Sequence, residues 1–386
     1  MNRQEFQDRY SQLAGRILST LTAGNPGENI VFSPFSVISQ LSVLADAARG
    51  KTREEILRAL CGDISPEGLP EHLKQTKYEL TKIDFSSITA YEVPFGSRPF
   101  TPDYSRHVET ADAVFVKAEE MKNIHPGFGD WFADMYGGTL IGTNNVDAAA
   151  EAWLDAMESG RLELREAAPS DTPLALASAV FFRAMWMVPC KNSQVKKRVF
   201  TNADKTKAKV NMKYSREIGY VETPLATGFI RDFQQCAYSF AALLPKQKGP
   251  EALNHVITTT SFRRILKRAT DTSVRAGIPE FTLDTETSLQ PACAALGLEE
   301  TFTETASFPG LAAASLQNKN ITHKAKLELN RHGASTEAAA PIPIPRNLPP
   351  DDEKEVILNR PFVFAILHRT MNIPVFVGVV SRMGDA

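Results

Sequence analysis

One stretch of the chain combines the residue types that a protease binds as an extended substrate. Residues 333–355 hold four alanines, five prolines and no aromatic residue. The first half, 333–340, consists almost entirely of small residues, which allow a backbone to enter a narrow space. The alternate prolines of 341–345 favour an extended backbone, and Arg346 follows them. Because acid-floored specificity pockets accept arginine or lysine, the stretch has the features of a protease substrate. A disordered surface loop would have the same composition.

A second pattern, Ser193-Gln-Val-Lys196, matches the SxxK spacing of serine acyl-enzymes. The SDN and KTG companions of that chemistry are absent from the sequence, as are the GxxxxGK[ST], GxGxxG, HExxH and GxSxG motifs. The seven histidines show no metal-ligand spacing. These absences favour a polar turn at 193–196, and no metal site is predicted.

Composition excludes several classes of protein. The chain has 386 residues, of which 43% are hydrophobic and 23% charged, as is typical of globular proteins. The formal net charge of −2 argues against nucleic-acid binding. The four cysteines are scattered and form no CxxC pair, so neither a disulfide framework nor a structural zinc site is expected. No apolar run reaches the roughly 18 residues that a membrane-spanning helix needs, so no membrane partner is predicted.

The beginning of the chain bears on its compartment. Residues 1–6 contain no apolar signal-peptide core. Together with the sparse cysteines, this favours a cytoplasmic or unconventionally secreted protein. An extracellular protein whose signal peptide has been removed would have the same features.

Helices and strands alternate irregularly along the chain, which predicts the α+β class. Residues 84–103 carry three prolines and indicate an irregular excursion. Apolar spacing predicts helices over 5–21, 70–82, 250–268 and 286–296, with another opening at Ser33-Pro34 and a capping box at 52–55 before a further helical turn. Strands are predicted at 30–32, 174–182, 238–244, 356–367 and 374–380, and the second of these is apolar on both faces.

The chain resembles a serpin, and the matching motifs run nearly from end to end. Each motif alone is short, but their shared order along the chain makes the resemblance specific. The motifs are Asn29-Ile-Val-Phe-Ser33-Pro34-Phe-Ser36, Gly50-Lys-Thr52, Asp112-Ala-Val-Phe115-Val, Ser178-Ala-Val-Phe-Phe182 with Trp186 and Pro189, Pro279-Glu-Phe281, Leu296-Gly297-Leu298 with Phe302, His323-Lys-Ala325-Lys-Leu-Glu-Leu-Asn330, and Arg360-Pro361-Phe362-Val-Phe364 with Phe376-Val-Gly378.

The resemblance implies a fold and a mechanism. The fold is a single serpin domain over 1–386 with three β-sheets, eight or nine helices and an exposed reactive-centre loop over 331–357. The excursion at 84–103 becomes an irregular insertion after a helix. A protease attacks the loop and forms an acyl-enzyme, and the cleaved loop inserts as a new central strand of the largest sheet before deacylation. The native fold is therefore metastable, and the serpin itself performs no catalysis.

Two positions are possible for the scissile bond. Counting from Gly333 at the family's usual spacing places Asn347 before the bond. Aligning Asn347-Leu-Pro-Pro350 with the family's downstream pattern places Arg346 there instead, with an acidic insertion near 351–354. We predict Arg346–Asn347, because arginine fits a common specificity pocket. Trypsin-like serine proteases are then the predicted partners.

The hinge before this bond departs from the family's usual Gly-Thr-Glu-Ala-Ala-Ala by two extra residues, all of which are small. Pro341, Pro343 and Pro345 lie two apart, so their missing N–H donors face one neighbouring strand. Three lost hydrogen bonds cost roughly 3 kcal/mol, whereas an inserted strand of about a dozen residues would otherwise pair some two dozen backbone groups. The loss therefore hinders the last steps of insertion without preventing it, and slow insertion favours cleavage with release. The predicted hinge residues are Gly333, Ala334, Ser335, Thr336, Glu337, Ala338, Ala339 and Ala340.

Trp186, Glu280 and Arg331 are predicted to surround the point where the loop inserts. Family members often pair a lysine with a glutamate at the last two positions. Here the charges are exchanged, and we predict that the ion pair persists in reverse. Two independent surface charges are the alternative, since exposed pairs contribute little.

A second group matches the hydrogen-bonding cluster that lets the family's strands separate. It comprises Ser33, Ser36, Ser178 and His323, with Ser178 at the position of the usual asparagine. We expect the shorter serine to leave a gap that water or another group fills. His323 on an apolar strand could otherwise be a plain core histidine.

No cofactor is predicted. Lys74, Lys77 and Lys82 lie on the helix that binds polysaccharide in some family members, but Glu71 and Glu79 dilute their charge, so a glycosaminoglycan is unsupported. A basic stripe is either a solvated helix face or a site for sulfated polysaccharide; its members are Arg263, Arg264, Lys267 and Arg268.

Two other functions compete with inhibition. The first is a non-inhibitory serpin acting as carrier, chaperone or protease substrate, in which the proline-rich loop slows insertion. The second is a hydrolase using Ser193 and Lys196. The chain is expected to be a monomer that can polymerise by loop insertion.

Overall fold

The computed structural model describes residues 1–82, 108–159, 172–234, 237–303, 305–313, 318–334 and 353–384. For 157–159 and 318–320 it describes the backbone alone. The predicted excursion at 84–103 lies outside these ranges.

Nine α-helices occur in the described residues, within the predicted eight or nine. The first begins with a capping box in which the Asn2 side chain accepts from the Glu5 amide at 2.9 Å and Glu5 accepts from the Asn2 amide at 2.6 Å. The helices are α1 (Arg3–Gly24), α2 (Pro34–Ala47), α3 (Gly50–Cys61), α4 (Leu69–Thr81), α5 (Phe128–Tyr136), α6 (Val146–Ser159), α7 (Pro250–Thr259), α8 (Phe262–Arg268) and α9 (Gln290–Ala295).

The described strands number sixteen and form three sheets, which confirms the predicted α+β architecture. They are β1 (Ile30–Phe32), β2 (Val108–Lys117), β3 (Thr139–Thr143), β4 (Leu174–Phe182), β5 (Ala184–Met185), β6 (Val195–Thr201), β7 (Lys207–Glu222), β8 (Ala226–Asp232), β9 (Tyr238–Pro245), β10 (Thr270–Pro279), β11 (Phe281–Ser288), β12 (Asn318–Leu329), β13 (Gly333–Ala334), β14 (Lys354–Ile357), β15 (Phe362–His368) and β16 (Ile373–Val380).

The five-stranded sheet, here called sheet A, has the order β11-β12-β4-β2-β3. The nine-stranded sheet, here called sheet B, has the order β1-β16-β15-β9-β8-β7-β10-β14, and β6 pairs with β7. The third sheet is the short pair of β13 with β5. Helix α2 is buried along nearly all its length and contacts both β4 and β16, so it joins sheets A and B through the core.

The structure corrects four local predictions. The capping box at 52–55 is wrong, because α3 already begins at Gly50 and the Thr52 hydroxyl accepts from the Ser307 amide at 3.1 Å. The predicted helix over 250–268 is two helices, since Thr260 and Ser261 adopt extended backbone angles. The predicted strand over 356–367 is likewise two strands, β14 and β15. Residues 358–361 lie between them, and the last of these is Pro361. In addition, the first residues of 286–296 belong to β11 rather than to a helix.

Candidate functional site

The centre of sheet A contains a parallel strand pair. Strands β4 and β12 run side by side in register, with His323 opposite Ser178, whereas each pairs in antiparallel fashion with its other neighbour. A strand inserted between them in the opposite direction would be antiparallel to both. Since parallel pairing is slightly less stable per residue than antiparallel pairing, the sheet can gain stability by accepting such a strand.

The predicted hinge begins at the upper end of this pair. After β12 the chain turns at Asn330, whose side-chain oxygen accepts from the amides of His332 and Gly333 at 2.8 and 3.2 Å. Gly333 and Ala334 then pair in antiparallel fashion with Met185 and Ala184 of β5. The first two hinge residues therefore already run in the direction that an inserted strand requires.

Gly333 is required by the closeness of this pairing. Its φ of +149° lies in the region that favours glycine, and a Cβ there would lie 2.2 Å from the Ala184 carbonyl oxygen. The other predicted hinge residues, 335–340, and the predicted bond between Arg346 and Asn347 lie outside the described residues.

Trp186 packs against the turn that follows β12 and hydrogen-bonds to it. The side chain is fully buried, and its indole N–H donates to the Asn330 carbonyl at 3.0 Å. Its backbone amide donates to the His332 carbonyl at 2.7 Å. The ring stacks on Phe233 with centroids 4.4 Å apart, and the Arg231 guanidinium covers it at 4.4 Å. Trp186 thus lies where the sequence placed it, against the chain that leads into the loop.

The predicted ion pair between Glu280 and Arg331 does not form. Arg331 donates to the Asn192 side chain and, at 2.8 Å, to His332 Nε2. Glu280 instead accepts from the Asn211 side chain at 3.0 Å. Arg331 therefore faces the 192 turn while Glu280 faces β7, so the prediction of a reversed pair is wrong.

Sequence reasoning missed Lys213, a lysine of β7 that is fully buried beneath the turn. Its Nζ donates to the carbonyl of Leu329, the last residue of β12, at 3.1 Å. Burial lowers the pKa of Lys213 to about 7, and the charge of Glu280 opposes that shift. Glu280 thus has its electrostatic partner in Lys213. The alternation of polar and apolar residues along β7 does not predict that this lysine is buried. Lys213 falls on the same polar face as Lys207 and Lys209, which are both exposed.

The predicted cluster in the middle of sheet A assembles around His323, which is fully buried. The Ser33 amide donates to His323 Nε2 at 3.0 Å, so the proton lies on Nδ1, which is 3.0 Å from Ser178 Oγ. The expectation that the shorter Ser178 leaves a gap for water or another group is therefore wrong, because the serine hydroxyl reaches the ring directly. Burial lowers the pKa of His323 to about 3, which keeps the ring neutral.

The hydroxyls of Ser33 and Ser36 are buried in the same region without a hydrogen-bond partner among the described residues. Only Ser178 therefore contributes its side chain to the histidine contact. The three serines of the predicted cluster are therefore not equivalent, although nothing in the sequence distinguishes them.

Replacing Ser178 with alanine is expected to lower the free energy of unfolding by about 1–3 kcal/mol, because His323 Nδ1–H then stays buried without an acceptor. Urea unfolding measures this loss. Ser36→Ala is the matched control, since its hydroxyl has no partner to lose, and it should be neutral or slightly stabilising. Equal losses in the two variants would contradict the assigned contact.

The far end of the loop returns to sheet B through β14, which pairs in parallel with β10. Glu353 accepts from Arg216 at 2.5 Å, and Glu355 pairs with Arg275 at 2.9 Å. Part of the acidic segment after the predicted bond therefore anchors the loop to two arginines of sheet B.

The lysines considered for polysaccharide binding all have acidic partners. Lys74 lies 3.3 Å from Asp134, Lys77 lies 3.4 Å from the buried Asp112, and Lys82 lies 2.6 Å from Glu79. In the basic stripe of α8, Arg263 donates to Asp8, while the other three members are exposed.

Ser193 and Lys196 are both exposed, in a short 3₁₀ helix and at the start of β6, as expected of a polar turn. Across the described ranges, no helix is both long enough and apolar enough to cross a membrane.

Comparison with known proteins identifies the family. A model of the serpin (serine protease inhibitor) family matches residues 8–383. Mouse plasminogen activator inhibitor 1 is 24% identical over 385 residues, which cover 95% of this chain and 90% of that protein. This chain belongs to the serpin family, many of whose members inhibit serine proteases and whose members are generally not enzymes.

Solved structures share the fold. Native tengpin, a thermophilic serpin, superposes with a TM-score of 0.81 at 24% identity, over 98% of this chain and 95% of that one. Human thyroxine-binding globulin, solved with thyroxine, gives a TM-score of 0.79 at 19% identity, over 99% of both chains. Identities this low establish the fold alone.

Proposed function

We propose that this serpin inhibits a trypsin-like serine protease, using Arg346–Asn347 as the bond that the protease attacks. The observation that carries the proposal is the antiparallel pairing of Gly333 and Ala334 with β5. This pairing starts the hinge on the path between β4 and β12. A strand that continues it would replace one parallel pair by two antiparallel pairs.

The chemistry belongs to the protease. Its serine oxygen bonds to the Arg346 carbonyl carbon, the Arg346–Asn347 bond breaks, and the new amine of Asn347 takes a proton from the protease's general acid. Residues up to Arg346 remain esterified to the protease and can enter sheet A. The segment after the bond stays on sheet B, where Arg216 and Arg275 hold its glutamates. Insertion therefore separates the two ends and carries the protease away from its starting position.

The test is to mix the protein with bovine trypsin and separate the products on a denaturing gel. A stable band at the summed mass, with mass spectrometry placing the released end at Asn347, supports the proposal. Arg346→Ala should remove both the band and the cleavage, because alanine cannot reach the acidic floor of the pocket. Cleavage at another bond, or no reaction, would contradict it.

The specific observation that favours a second function is the proline series 341, 343 and 345. Each proline lacks a donor for the new sheet, so slow insertion would release the protease and leave a cleaved serpin. Thyroxine-binding globulin shows that the same fold can bind a ligand. Cleavage after Arg346 without a stable band would favour this protease-substrate or carrier function.

A further inference from the structure

A cavity of about 820 Å³ lies far from the loop insertion site, between the last turn of α1, the β6–β7 turn and the first turn of α7. Its volume falls in the range of small-molecule sites, roughly 300–1,000 Å³. Much of its wall is apolar, and its apolar residues include Ala23, Pro26, Ala203, Pro245, Leu253 and Pro361. A ligand that fills it must therefore have an apolar body.

The charge at the wall is predominantly positive. Lys205, Lys248 and Arg360 line the cavity, and Glu251 is the one carboxylate among its described lining residues. Within the described chain, none of these four side chains makes an ion pair or hydrogen bond. The guanidinium of Arg360 is half-buried, and burial lowers its pKa with no nearby carboxylate to oppose the shift. A half-buried arginine without an acceptor needs an anion to compensate its lost hydration.

Backbone donors lie on the same wall. Helix α7 begins at Pro250, and the N-cap residue before it, Gly249, has no side chain that could cap the helix. The amides of the first turn after Pro250 therefore lack a cap and carry the positive end of the helix dipole. These amides favour a negatively charged group at this wall.

We infer that this cavity binds a small organic anion, namely a carboxylate attached to an apolar body, with the carboxylate on Arg360. The apolar walls contact the body, and the amides of α7 face the same negative charge. A compact inorganic anion would satisfy the arginine but leave the apolar walls in contact with water, so it should bind more weakly. This inference is independent of the proposed protease inhibition.

The ligand would also touch the segment that follows the reactive loop. Arg360 lies between β14 and β15, and the Thr201 amide donates to the neighbouring Asn359 carbonyl at 2.8 Å.

The experiment is calorimetric titration of the full chain with 2-naphthoate and with its neutral isostere 2-naphthamide. Naphthoate should bind about tenfold more tightly than naphthamide, as expected when a charge-assisted hydrogen bond is present in one complex only. Arg360→Gln should weaken naphthoate binding about tenfold and leave naphthamide within about twofold. Arg3→Gln is the matched control, because Arg3 is exposed at the opposite end of α1 and should not change either affinity.

Further variants and a competition with sulfate also test the inference. If Arg360→Gln fails to fold, Lys248→Gln on the exposed rim should weaken naphthoate by a smaller factor, and Ala203→Trp should block both compounds by filling the cavity. Sodium sulfate at equal ionic strength to sodium chloride should not displace naphthoate. Equal affinities for naphthoate and naphthamide, an unchanged affinity in the charge variant, or displacement by sulfate would each overturn the inference.

Discussion

Replacing Ala334 with arginine is expected to abolish the stable complex with trypsin while cleavage after Arg346 continues at its normal rate. Ala334 is only 2% exposed where it pairs with Ala184, and insertion would bury the following chain further. An unpaired arginine at this position must lose its hydration, which costs several kcal/mol. Because Ala334 is already buried before cleavage, the arginine is expected to break the pairing of 333–334 with β5. Insertion can then begin only by restoring that pairing at this cost, so deacylation of the protease should be faster than insertion.

The measurement is the fraction of serpin that enters the SDS-stable band against the fraction that is cleaved and released. Wild-type protein should partition toward the band, and Ala334→Arg should move at least about nine-tenths of it to the cleaved form, since 1.4 kcal/mol already changes a ratio tenfold. Ala334→Thr is the control, because a small neutral side chain still suits a strand. A stable complex in the arginine variant would show that residue 334 does not enter the sheet.

Much of the fold could be predicted because its central strands are unusually uniform. All side chains of β4 are buried and all but Ser178 are apolar, so both of its ends were predicted correctly. The failures arose where one apolar pattern spans two elements. Residues 250–268 keep helical spacing through Thr260 and Ser261, and only the backbone angles there reveal the break.

For the candidate site, the sequence supplied a list of predicted residues but not their contacts. The reach of Ser178 could not be predicted from side-chain length, because it depends on the separation of β4 and β12. The pairing of Glu280 failed for a similar reason: the charge that it faces belongs to β7, a strand of the other sheet. Contacts between sheets leave no local pattern in the sequence.

Stability should rise with pH because of Lys213. In the unfolded chain this lysine has its ordinary pKa of 10.5, whereas in the folded protein burial lowers its pKa to about 7. Between these values the unfolded chain binds more protons, so the free energy of unfolding increases as pH rises. The full destabilisation is present below pH 7 and is lost toward pH 10.5. From pH 7 to pH 9 the gain should be about 2 kcal/mol.

The first urea-unfolding transition, followed at pH 7, 8 and 9, measures this gain. Lys213→Met should remove the increase and raise stability at pH 7, because methionine fills the site without a charge to desolvate. Part of that benefit is lost, since the Leu329 carbonyl gives up its donor at a cost of about 1 kcal/mol. Lys207→Met, an exposed position on the same strand, should keep the wild-type pH dependence. If wild type and Lys213→Met gain equally with pH, Lys213 remains protonated when folded, and the Leu329 carbonyl and Glu280 together compensate its burial.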